Sequence, residues 1–350
     1  MSKTNPKVIV IATSCKTKGG ITSVIKAHKT EEQWVKFQCK WLETHSDKGR
    51  FYKLYYFIKS FVQYLFLLPF YDLVHIHTSE PQSAFRKTFF LVYAKLLRKK
   101  VIVHFHAFST ETTINSKFRQ VYMFLFSKAD VVIVLSEYWR TEIIKTFKLS
   151  HKIIILYNPC TRIHNTILYK KQKNILYAGA INTRKGYKDL ITAFAAIGKK
   201  FPDWKVVFAG SGELEEAKNL SRELNIESQC LFLGWISGDL KDKAFKEASI
   251  FCLPSYAEGF PMAVLDAFAY GIPVITTPVG GIPDIAISDE NMLLFMPGDR
   301  KMLAIQLERI ILDKELYNKL CDSSINLANE DFSVSKITKE LENIYVSLLP

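Results

Sequence analysis

The chain has 350 residues, of which 48% are hydrophobic and 23% are charged, which excludes a disordered chain and leaves room for two domains with separate cores. Its formal net charge is +13, and residues 1–160 carry 25 Lys and Arg against 10 Asp and Glu. A basic half of this kind implies anionic partners, which are nucleic acid, anionic lipid head groups or phosphorylated substrates.

The cysteines and the amino terminus predict a reducing compartment. The six cysteines show no spacing typical of a metal site, and no secretory segment is recognised before them. The first residues form a polar lead into an apolar run, which is unlike a signal peptide. We therefore expect a cytoplasmic protein with reduced thiols.

The first half predicts alternating strands and helices. Short apolar runs typical of buried parallel strands occupy residues 7–13, 71–78, 101–107, 129–136 and 152–156. After the first run, Gly19 and Gly20 precede a predicted helix at 21–28. Glycines between a strand and a helix let backbone N–H groups approach a phosphate, although this loop is neither GxGxxG nor a Walker motif.

The most apolar stretch, residues 51–70, is interrupted by Lys53, Lys59 and Gln63. These residues argue against a membrane-spanning helix. Two interpretations remain open, a core helix and a helix lying in the membrane interface. The next predicted helix is either a solvated amphipathic helix or a contact for lipid or lipid-diphosphate anions. Its basic residues are Arg86, Lys87, Lys95, Arg98, Lys99 and Lys100.

Two predicted strands each carry a pair of histidines. His75 and His77 share one strand face by the two-residue period, and so do His104 and His106. No carboxylate stands at ligand spacing from either pair, so we expect no metal. His106 is the functional candidate because it ends its strand, at the edge where open α/β sheets bind ligands. His104 is expected to be structural, and His77 fits either role.

A turn at residues 158–159 and a polar, basic stretch to residue 173 predict a linker. We therefore assign residues 1–165 to a first domain and residues 166–331 to a second domain. The second domain is predicted to open with a strand at 174–178 and to contain further alternating strands and helices.

The stretch from residue 254 to 284 carries the chemistry, and it reads PSYAEGFPMAVLDAFAYGIPVITTPVGGIPD. The pattern predicts a loop with Glu258, then a helix at 262–269 that ends before a glycine, then a strand at 273–277. Eight residues separate Glu258 from Asp266, which would place both carboxylates on one helical face, with the first at the positive helix end. This arrangement suits a ligand with hydroxyls and an anionic end.

This block resembles the Glu-x7-Glu signature of the retaining family 4 glycosyltransferases. Their α/β fold, called GT-B, has two Rossmann-like domains facing each other across a deep cleft. The second acid departs from the signature, since Asp266 stands where the family has glutamate. The loop at 179–186, GAINTRKG, resembles the family's GRLxxxKG loop. The family arginine would fall at Ala180, and we hypothesise that Arg184 compensates for its absence.

The resemblance implies roles for particular residues. Lys185 and Arg184 would neutralise the leaving diphosphate. Glu258 would hold donor sugar hydroxyls, and Asp266 would accept from the ribose. His106 would line the cleft near the transferred sugar. The other implied donor-binding residues are Gly19, Gly20, Ile236, Gly259, Phe260, Pro261 and Met262.

The resemblance also implies the reaction. A sugar would move, with retention of configuration, from a UDP-sugar or GDP-sugar to a hydroxyl of a glycan or lipid-diphosphate-linked acceptor in cell-surface polysaccharide biosynthesis. The segment 332–350 would return to the first domain. Since the sequence has no Asp-x-Asp motif, neither a metal nor another cofactor is expected. The basic, aromatic first half predicts a peripheral position on an anionic surface, the inner face of the cell membrane.

Three alternatives remain at the level of sequence. The first is another GT-B enzyme, an epimerase or a phosphorylase, although no lysine can be assigned to a pyridoxal cofactor. The second is a non-catalytic binder of anions or nucleic acid, but the basic half carries no RNA- or DNA-binding signature, so no nucleic acid is expected. The third is a membrane scaffold, which only residues 51–70 favour.

Overall fold

A computed structural model describes residues 6–47, 49–149, 152–160 and 171–349. The chain divides into two compact units. Unit 1 comprises Met1–Pro159 and Val334–Pro350, and unit 2 comprises Cys160–Ser333. The predicted domain boundary at residues 165 and 166 lies outside the described residues. All six cysteines lie within the described ranges and are free thiols.

Unit 1 is built on a parallel six-stranded sheet. Its strands are β1 (Val8–Ala12), β2 (Lys40–Glu43), β3 (Leu73–Thr78), β4 (Lys100–Phe105), β5 (Val131–Val134) and β6 (Ile153–Ile155). The spatial order is β2-β1-β3-β4-β5-β6, so the topological switch point lies between β1 and β3. The inner strands are buried on both faces because helices cover both sides of the sheet, although β3 and β4 also carry buried histidines.

In the described part of unit 1, six helices connect these strands. They are α1 (Gly20–Lys29), α2 (Glu32–Lys36), α3 (Arg50–Leu67), α4 (Pro81–Leu96), α5 (Arg119–Lys128) and α6 (Glu137–Phe147). Helices α3 to α6 contribute to the core cluster on one sheet face, and α1 contributes to the cluster on the other. Within the described part of the chain, no helix is both long enough and apolar enough to span a bilayer.

Helix α3 is apolar on two opposite faces. Phe57, Phe61 and Tyr64 recur at helical spacing and pack into the core of unit 1, as the core-helix interpretation of residues 51–70 predicts. On the other face, Phe51 is 90% exposed and Phe66 is 74% exposed. Contiguous exposed apolar surface of this kind is unusual on a monomeric protein and marks an interaction surface.

Of the two alternatives for the basic residues of the next helix, the solvated amphipathic helix does not hold for Lys87. Lys87 is buried in α4, because it lies three residues after Ala84 and four before Leu91, on the core face. Lys95 pairs with the Asp130 carboxylate, which also accepts from the Val101 N–H at 2.8 Å.

Unit 2 is built on a second parallel six-stranded sheet. Its strands are β7 (Asn174–Ala178), β8 (Lys205–Ala209), β9 (Cys230–Gly234), β10 (Ile250–Leu253), β11 (Val274–Thr276) and β12 (Leu293–Leu294). The spatial order is β12-β11-β10-β7-β8-β9. This order is that of a doubly wound nucleotide-binding sheet, and its switch point lies between β7 and β10.

Six helices of unit 2 cover this sheet, and a last helix belongs to unit 1. The helices of unit 2 are α7 (Tyr187–Ile197), α8 (Leu214–Glu223), α9 (Asp239–Glu247), α10 (Met262–Ala269), α11 (Arg300–Leu312) and α12 (Lys314–Asn326). The last helix, α13 (Val334–Leu348), buries Ile337, Leu341 and Tyr345 with Leu73 and Ile102 in a core cluster of unit 1.

Candidate functional site

Two loops meet at the carboxyl edge of the sheet in unit 2. Strand β7 leads into residues 179–186, and its neighbour β10 leads into residues 254–261. The Tyr256 N–H donates to the carbonyl oxygen of Arg184 at 2.7 Å, which ties the loops together. Because β7 and β10 flank the switch point, this is where an open α/β sheet binds its ligand.

Gly186 allows the two loops to approach each other. Its φ is +73°, and a Cβ added there would lie 1.9 Å from the Pro254 carbonyl oxygen. Just before it, Asn182 caps a short 3-10 turn, Thr183–Lys185, by accepting from the Lys185 N–H at 3.0 Å. The backbone of Lys185 is therefore fixed on both sides.

The loops bring two cations to one buried carboxylate. Lys185 Nζ lies 2.5 Å from Glu258 Oε1, and Arg184 Nη1 lies 3.8 Å from Glu258 Oε2. The Ser255 hydroxyl donates to Glu258 Oε1 at 2.6 Å, and Arg184 Nη1 donates to the Ala257 carbonyl oxygen at 2.6 Å. The Glu258 side chain is only 8% exposed, so it is held by these contacts rather than by bulk water.

The cluster carries a net positive charge, which would favour an anionic ligand. Lys185 and Arg184 carry two positive charges against the single carboxylate of Glu258. Helix α10 begins close by in sequence, after Pro261, and no side chain caps its N-terminus. Uncapped helical N–H groups and the positive end of a helix dipole favour anions and oxygen acceptors.

Glu258 and Asp266 do not share a helical face, contrary to the prediction. Helix α10 begins at Met262, so Glu258 lies four residues before it, in the loop. Asp266 lies within α10, is buried, and accepts from Lys241 Nζ at 2.6 Å. The predicted helix at 262–269 matches the observed bounds.

Contacts behind the loop hold its backbone in place. The Gly281 N–H donates to the Gly259 carbonyl oxygen at 2.8 Å. A Cβ added at Gly280 would lie 2.3 Å from the Glu258 carbonyl oxygen, so only glycine fits there. Phe260 is buried and packs against Phe332 with ring centroids 5.5 Å apart, which gives it a structural contact as well as its predicted place near the donor.

Sequence reasoning missed a second group that supports the site. Asp189 is buried and accepts from Arg300 Nε and from the Tyr256 hydroxyl, each at 2.7 Å. Asp189 anchors Tyr256, which lies two residues before Glu258. Its other partner, Arg300, is 111 positions away from Asp189 in the chain. The visible signal was Asp189 itself, an acid in the first turn of an otherwise apolar helix.

The remaining predicted donor-binding residues are distributed over both units. Ile236 lies half-buried in the loop between β9 and α9, at the carboxyl end of β9, which is two strands away from β7 in the sheet. In unit 1, Gly19 precedes α1, and Gly20 is the first residue of that helix. The loop before Gly19 is braced by Glu43, which accepts from the Cys15 N–H at 2.8 Å.

His106 follows β4 at the carboxyl edge of the sheet in unit 1, where it is half-buried. Its Nε2 lies 2.9 Å from His77 Nδ1, within hydrogen-bond distance. Burial, with a smaller contribution from His28, lowers the pKa of His106 to about 3. His106 is therefore a neutral imidazole near pH 7, suited to hydrogen bonding with hydroxyls.

Among the residues that the structure describes, three other imidazoles form a group whose geometry could hold a metal ion. The ligand atoms of His75, His77 and His104 lie within 4.8 Å of one another. However, His75 Nδ1 lies 2.7 Å from the Tyr345 hydroxyl, and His75 Nε2 lies 3.3 Å from His104 Nδ1. A metal ion would have to displace these contacts, which argues against metal binding here. The expectation that the protein binds no metal remains a prediction.

The fold and the loop cluster define a class of protein. A crystal structure of Anabaena HepE in complex with UDP-glucose superposes with a TM-score of 0.78 at 18% identity, covering 97% of this chain and 99% of that one. Two parallel six-stranded sheets with covering helices, one with a charged cluster at its switch point, define the two-domain α/β GT-B architecture.

Sequence comparison gives the family. The Glycosyltransferase Family 4 model matches residues 18–161, and the Glycosyl transferases group 1 model matches residues 162–326. The chain belongs to the family 4 glycosyltransferases.

Two curated relatives illustrate the similarity. An uncharacterized glycosyltransferase of Haemophilus influenzae is 33% identical over 220 residues, 61% of each chain. The Staphylococcus aureus capsular polysaccharide biosynthesis glycosyltransferase CapM is 29% identical over 175 residues, 49% of this chain and 46% of that one. The matches therefore span less than two thirds of the length of either relative.

Gly186→Ala should destabilise unit 2 far more than Gly234→Ala does. Both glycines have φ near +70°, so both substitutions carry the backbone cost of about 1–2 kcal/mol. Only at Gly186 does the added Cβ meet backbone, the Pro254 carbonyl, whereas Gly234 faces open space. We expect a total loss of about 3 kcal/mol or more at Gly186, within the range for severe substitutions. Urea unfolding measures the free energy of unfolding of both variants. Equal losses for Gly186→Ala and Gly234→Ala would contradict the close contact between Gly186 and the Pro254 carbonyl.

Unit 1 should lose stability as pH falls from about 6.5 toward 4. Burial lowers the pKa of His28 to about 4, and it lowers the pKa values of His75, His77 and His104 well below 6.5. The unfolded chain therefore binds protons that the folded unit excludes, and unfolding is favoured at acid pH. For His28 alone, the loss between pH 7 and 5 is about 2 kcal/mol.

Hydrogen exchange corrected for intrinsic rates measures this loss in peptides from β1, β3 and β4. The control is His28→Asn, which keeps an acceptor for the Thr338 hydroxyl, 2.8 Å from His28 Nδ1. That variant should show a shallower pH dependence in unit 1. Protection in unit 1 that is flat between pH 7 and 5 would contradict the neutral histidines.

Proposed function

We propose that this chain is a retaining glycosyltransferase. It moves a sugar from a nucleotide diphosphate donor, with a UDP-sugar favoured over a GDP-sugar, to a hydroxyl of a glycan or lipid-diphosphate-linked oligosaccharide. The process it serves is cell-surface polysaccharide biosynthesis at the inner face of the membrane. Retention is proposed from family membership.

The observation that carries the proposal is the contact of Lys185 and Arg184 with Glu258 at the switch point of unit 2. A nucleoside diphosphate gains negative charge as its bond to the sugar breaks. Lys185 and Arg184 offer positive charge in fixed positions, and charge that is in place before the reaction lowers the barrier. The buried carboxylate of Glu258 accepts hydrogen bonds from sugar hydroxyls.

The chain supplies the cations that balance the diphosphate, so we propose that no metal or other cofactor is needed. Loss of one such preorganised group costs about 10²–10³ in kcat, or about 3–4 kcal/mol. Lys185→Met should therefore lower kcat by about that factor. Arg184 shares the task because its guanidinium also faces Glu258.

The other residues hold the two ends of the donor. Asp266, buried on α10, accepts from the ribose hydroxyls in place of Lys241. Backbone groups near Ile236 hold the base, and Gly259 to Met262 present N–H groups to the sugar. In unit 1, Gly19 and Gly20 offer N–H groups to the diphosphate, and neutral His106 bonds a hydroxyl of the transferred sugar.

Two comparisons support the donor class and the process. HepE of Anabaena was crystallised with UDP-glucose, and CapM of Staphylococcus aureus is named for capsular polysaccharide biosynthesis. Both are statements about those proteins, and they favour a UDP-sugar donor and a surface-polysaccharide acceptor here.

A nucleotide-sugar should stabilise unit 2 in a manner that depends on Asp266. Wild type, Asp266→Asn and the surface control Asp203→Asn are melted with UDP-, GDP-, ADP- and CMP-sugars, with EDTA present. A ligand at a hundred times its Kd adds about 2.7 kcal/mol. We expect one nucleotide class, UDP, to raise Tm for wild type and Asp203→Asn, and to act weakly on Asp266→Asn. No shift with any nucleotide would contradict a donor site.

We further propose that unit 1 rests on an anionic membrane surface through the outer faces of α3 and α4. Apolar side chains on these faces are exposed, and Lys53 and Lys59 lie among them on α3. The exposed apolar residues are Phe51, Tyr52, Leu54, Tyr55, Ile58, Val62, Phe66, Phe85, Phe89, Val92 and Leu96. Aromatic and basic residues together suit the head-group region, and each basic residue adds about 1 kcal/mol.

The protein should co-sediment with vesicles that contain phosphatidylglycerol and bind weakly to pure phosphatidylcholine. The double variant Phe51→Ser, Phe66→Ser should lose this binding. The matched control is Leu312→Ser, which removes a similarly exposed apolar residue from unit 2. Added salt should weaken binding because it screens the lysines. Equal binding by the double variant and the control would contradict this surface.

A further inference from the structure

A lysine of helix α4 points into the interior of unit 1, where no carboxylate among the described residues pairs with it. Lys87 is 1% exposed, and its ammonium donates to the hydroxyl of Thr44. In the part of the chain that the structure describes, no acid forms an ion pair with Lys87. Lys95, on the same helix, does pair with Asp130, whereas Lys87 has no acidic partner among the described residues.

The groups around Lys87 add positive charge. Arg86 is half-buried, and its Nε is buried without a hydrogen-bond acceptor among the described residues. His45 Nδ1 is likewise buried without a partner in those ranges. The acid recorded near His45 is Asp47, whose Oδ1 lies 3.6 Å from His45 Nε2 and whose Oδ2 accepts from the Lys18 N–H.

The pKa shifts agree with a shortage of negative charge. Burial lowers the pKa of Lys87 well below 10.5, and Arg86 lowers it further. Burial lowers the pKa of His45 to about 4, with further lowering by Arg86, Lys53 and Lys87 and an opposing effect of Asp47. Arg86 therefore disfavours the charge of both Lys87 and His45, and Lys87 disfavours the charge of His45.

Folding alone gives no reason to keep a lysine at this position. The ammonium of Lys87 has one hydroxyl partner and lies 5.8 Å from the centroid of the Phe90 ring, and these contacts compensate less for its burial than a carboxylate would, so an apolar side chain of similar volume is more favourable here. A position that lowers stability in the ligand-free protein is typical of a group retained for binding. An anion with two negative charges would meet the three basic groups and satisfy the unpartnered nitrogen atoms.

The corner formed by Arg86, Lys87 and His45 lies at the ligand-binding edge of unit 1. Thr44 and His45 follow β2, which neighbours β1 beside the switch point. The Ser14 N–H, in the loop after β1, donates to the His45 carbonyl oxygen at 2.8 Å. Arg86 and His45 are partly exposed, so the corner opens to solvent.

We propose that Arg86, Lys87 and His45 bind a phosphate or diphosphate group of the acceptor. The inference rests on the proposed function, because it assigns an acceptor to unit 1. It names the acceptor class as a phosphorylated molecule, either a lipid diphosphate or a soluble sugar phosphate. Lys87 is then a binding residue whose charge is stabilised by the acceptor rather than by the fold.

Pyrophosphate is the probe, titrated at constant ionic strength against wild type, Lys87→Met, Arg86→Gln and the exposed control Lys128→Met. Each of these proteins is also prepared with the additional substitution Lys185→Met, so that pyrophosphate binding to unit 2 can be told apart from binding to unit 1. Without pyrophosphate, Lys87→Met should melt a few degrees above wild type. Its apparent Kd for pyrophosphate, and that of Arg86→Gln, should rise at least tenfold. Lys128→Met should bind pyrophosphate as wild type does, and the losses caused by Lys87→Met and Arg86→Gln should persist in the Lys185→Met background, where binding to unit 2 is weakened.

A Lys87→Met protein that melts lower than wild type and keeps its pyrophosphate affinity would overturn the proposal, since Lys87 would be a packing residue. Affinity lost only with Lys185→Met would also overturn it. If Lys87→Met fails to fold, the partly exposed Arg86→Gln variant decides between these outcomes by its pyrophosphate affinity. UDP-sugar binding by both variants should be unchanged, which separates failure of this inference from failure of the donor proposal.

The source of the phosphate is distinguished with phosphatidylcholine vesicles that contain polyprenyl diphosphate. Weaker co-sedimentation of Lys87→Met and Arg86→Gln than of Lys128→Met supports a lipid diphosphate. Equal co-sedimentation together with lost pyrophosphate affinity supports a soluble phosphorylated acceptor. Equal co-sedimentation with retained pyrophosphate affinity overturns the site.

Discussion

The ion pair between Lys185 and Glu258 is the constraint on which the site in unit 2 depends. It joins the loops after β7 and β10, and both side chains are largely withdrawn from water. Removing one partner of such a pair leaves a buried charge unmet, which is strongly destabilising. The close backbone approach at Gly186 and the support from Gly280 behind Glu258 keep the charges together. These contacts therefore hold the charged groups in fixed positions, which is what the proposed binding of a diphosphate and a sugar requires.

The two units manage buried polar groups in opposite ways. In unit 2, opposite charges meet: Asp189 with Arg300, Asp266 with Lys241, and Glu258 with its two cations. In unit 1, the sheet carries stacked neutral imidazoles, with the His75 and His77 ring centroids 4.3 Å apart, and the ammonium of Lys87 meets a hydroxyl and the ring of Phe90. The paired side chains of unit 2 hold one another in place, whereas the basic group of unit 1 has no matching acid among the described residues.

The sequence allowed much of the fold to be predicted, because buried parallel strands are continuous apolar runs bounded by turns. Strand β7 and helix α10 have the predicted bounds. Strand β2 was not predicted, since Lys40–Glu43 is short and only partly buried at the sheet edge. Lys185 and Glu258 were selected as site residues from local motifs. Their mutual contact, and the support from Asp189, join positions 67 to 111 residues apart, which no local pattern encodes. Lys87 was misplaced although its spacing from Ala84 and Leu91 is that of a core position.

The return of α13 to unit 1 sets the order in which the chain can fold during synthesis. Tyr345 and Leu341 close a core face whose strands emerge from the ribosome far earlier, among the first 159 residues. At about 5–20 residues per second, that face waits roughly 10 to 40 s for its cover, while unit 2 is translated and folds as a unit. The nascent amino-terminal half therefore lacks the cover of α13 over Leu73, Ile102 and Ile133 for that interval, during which exposed apolar surface favours aggregation.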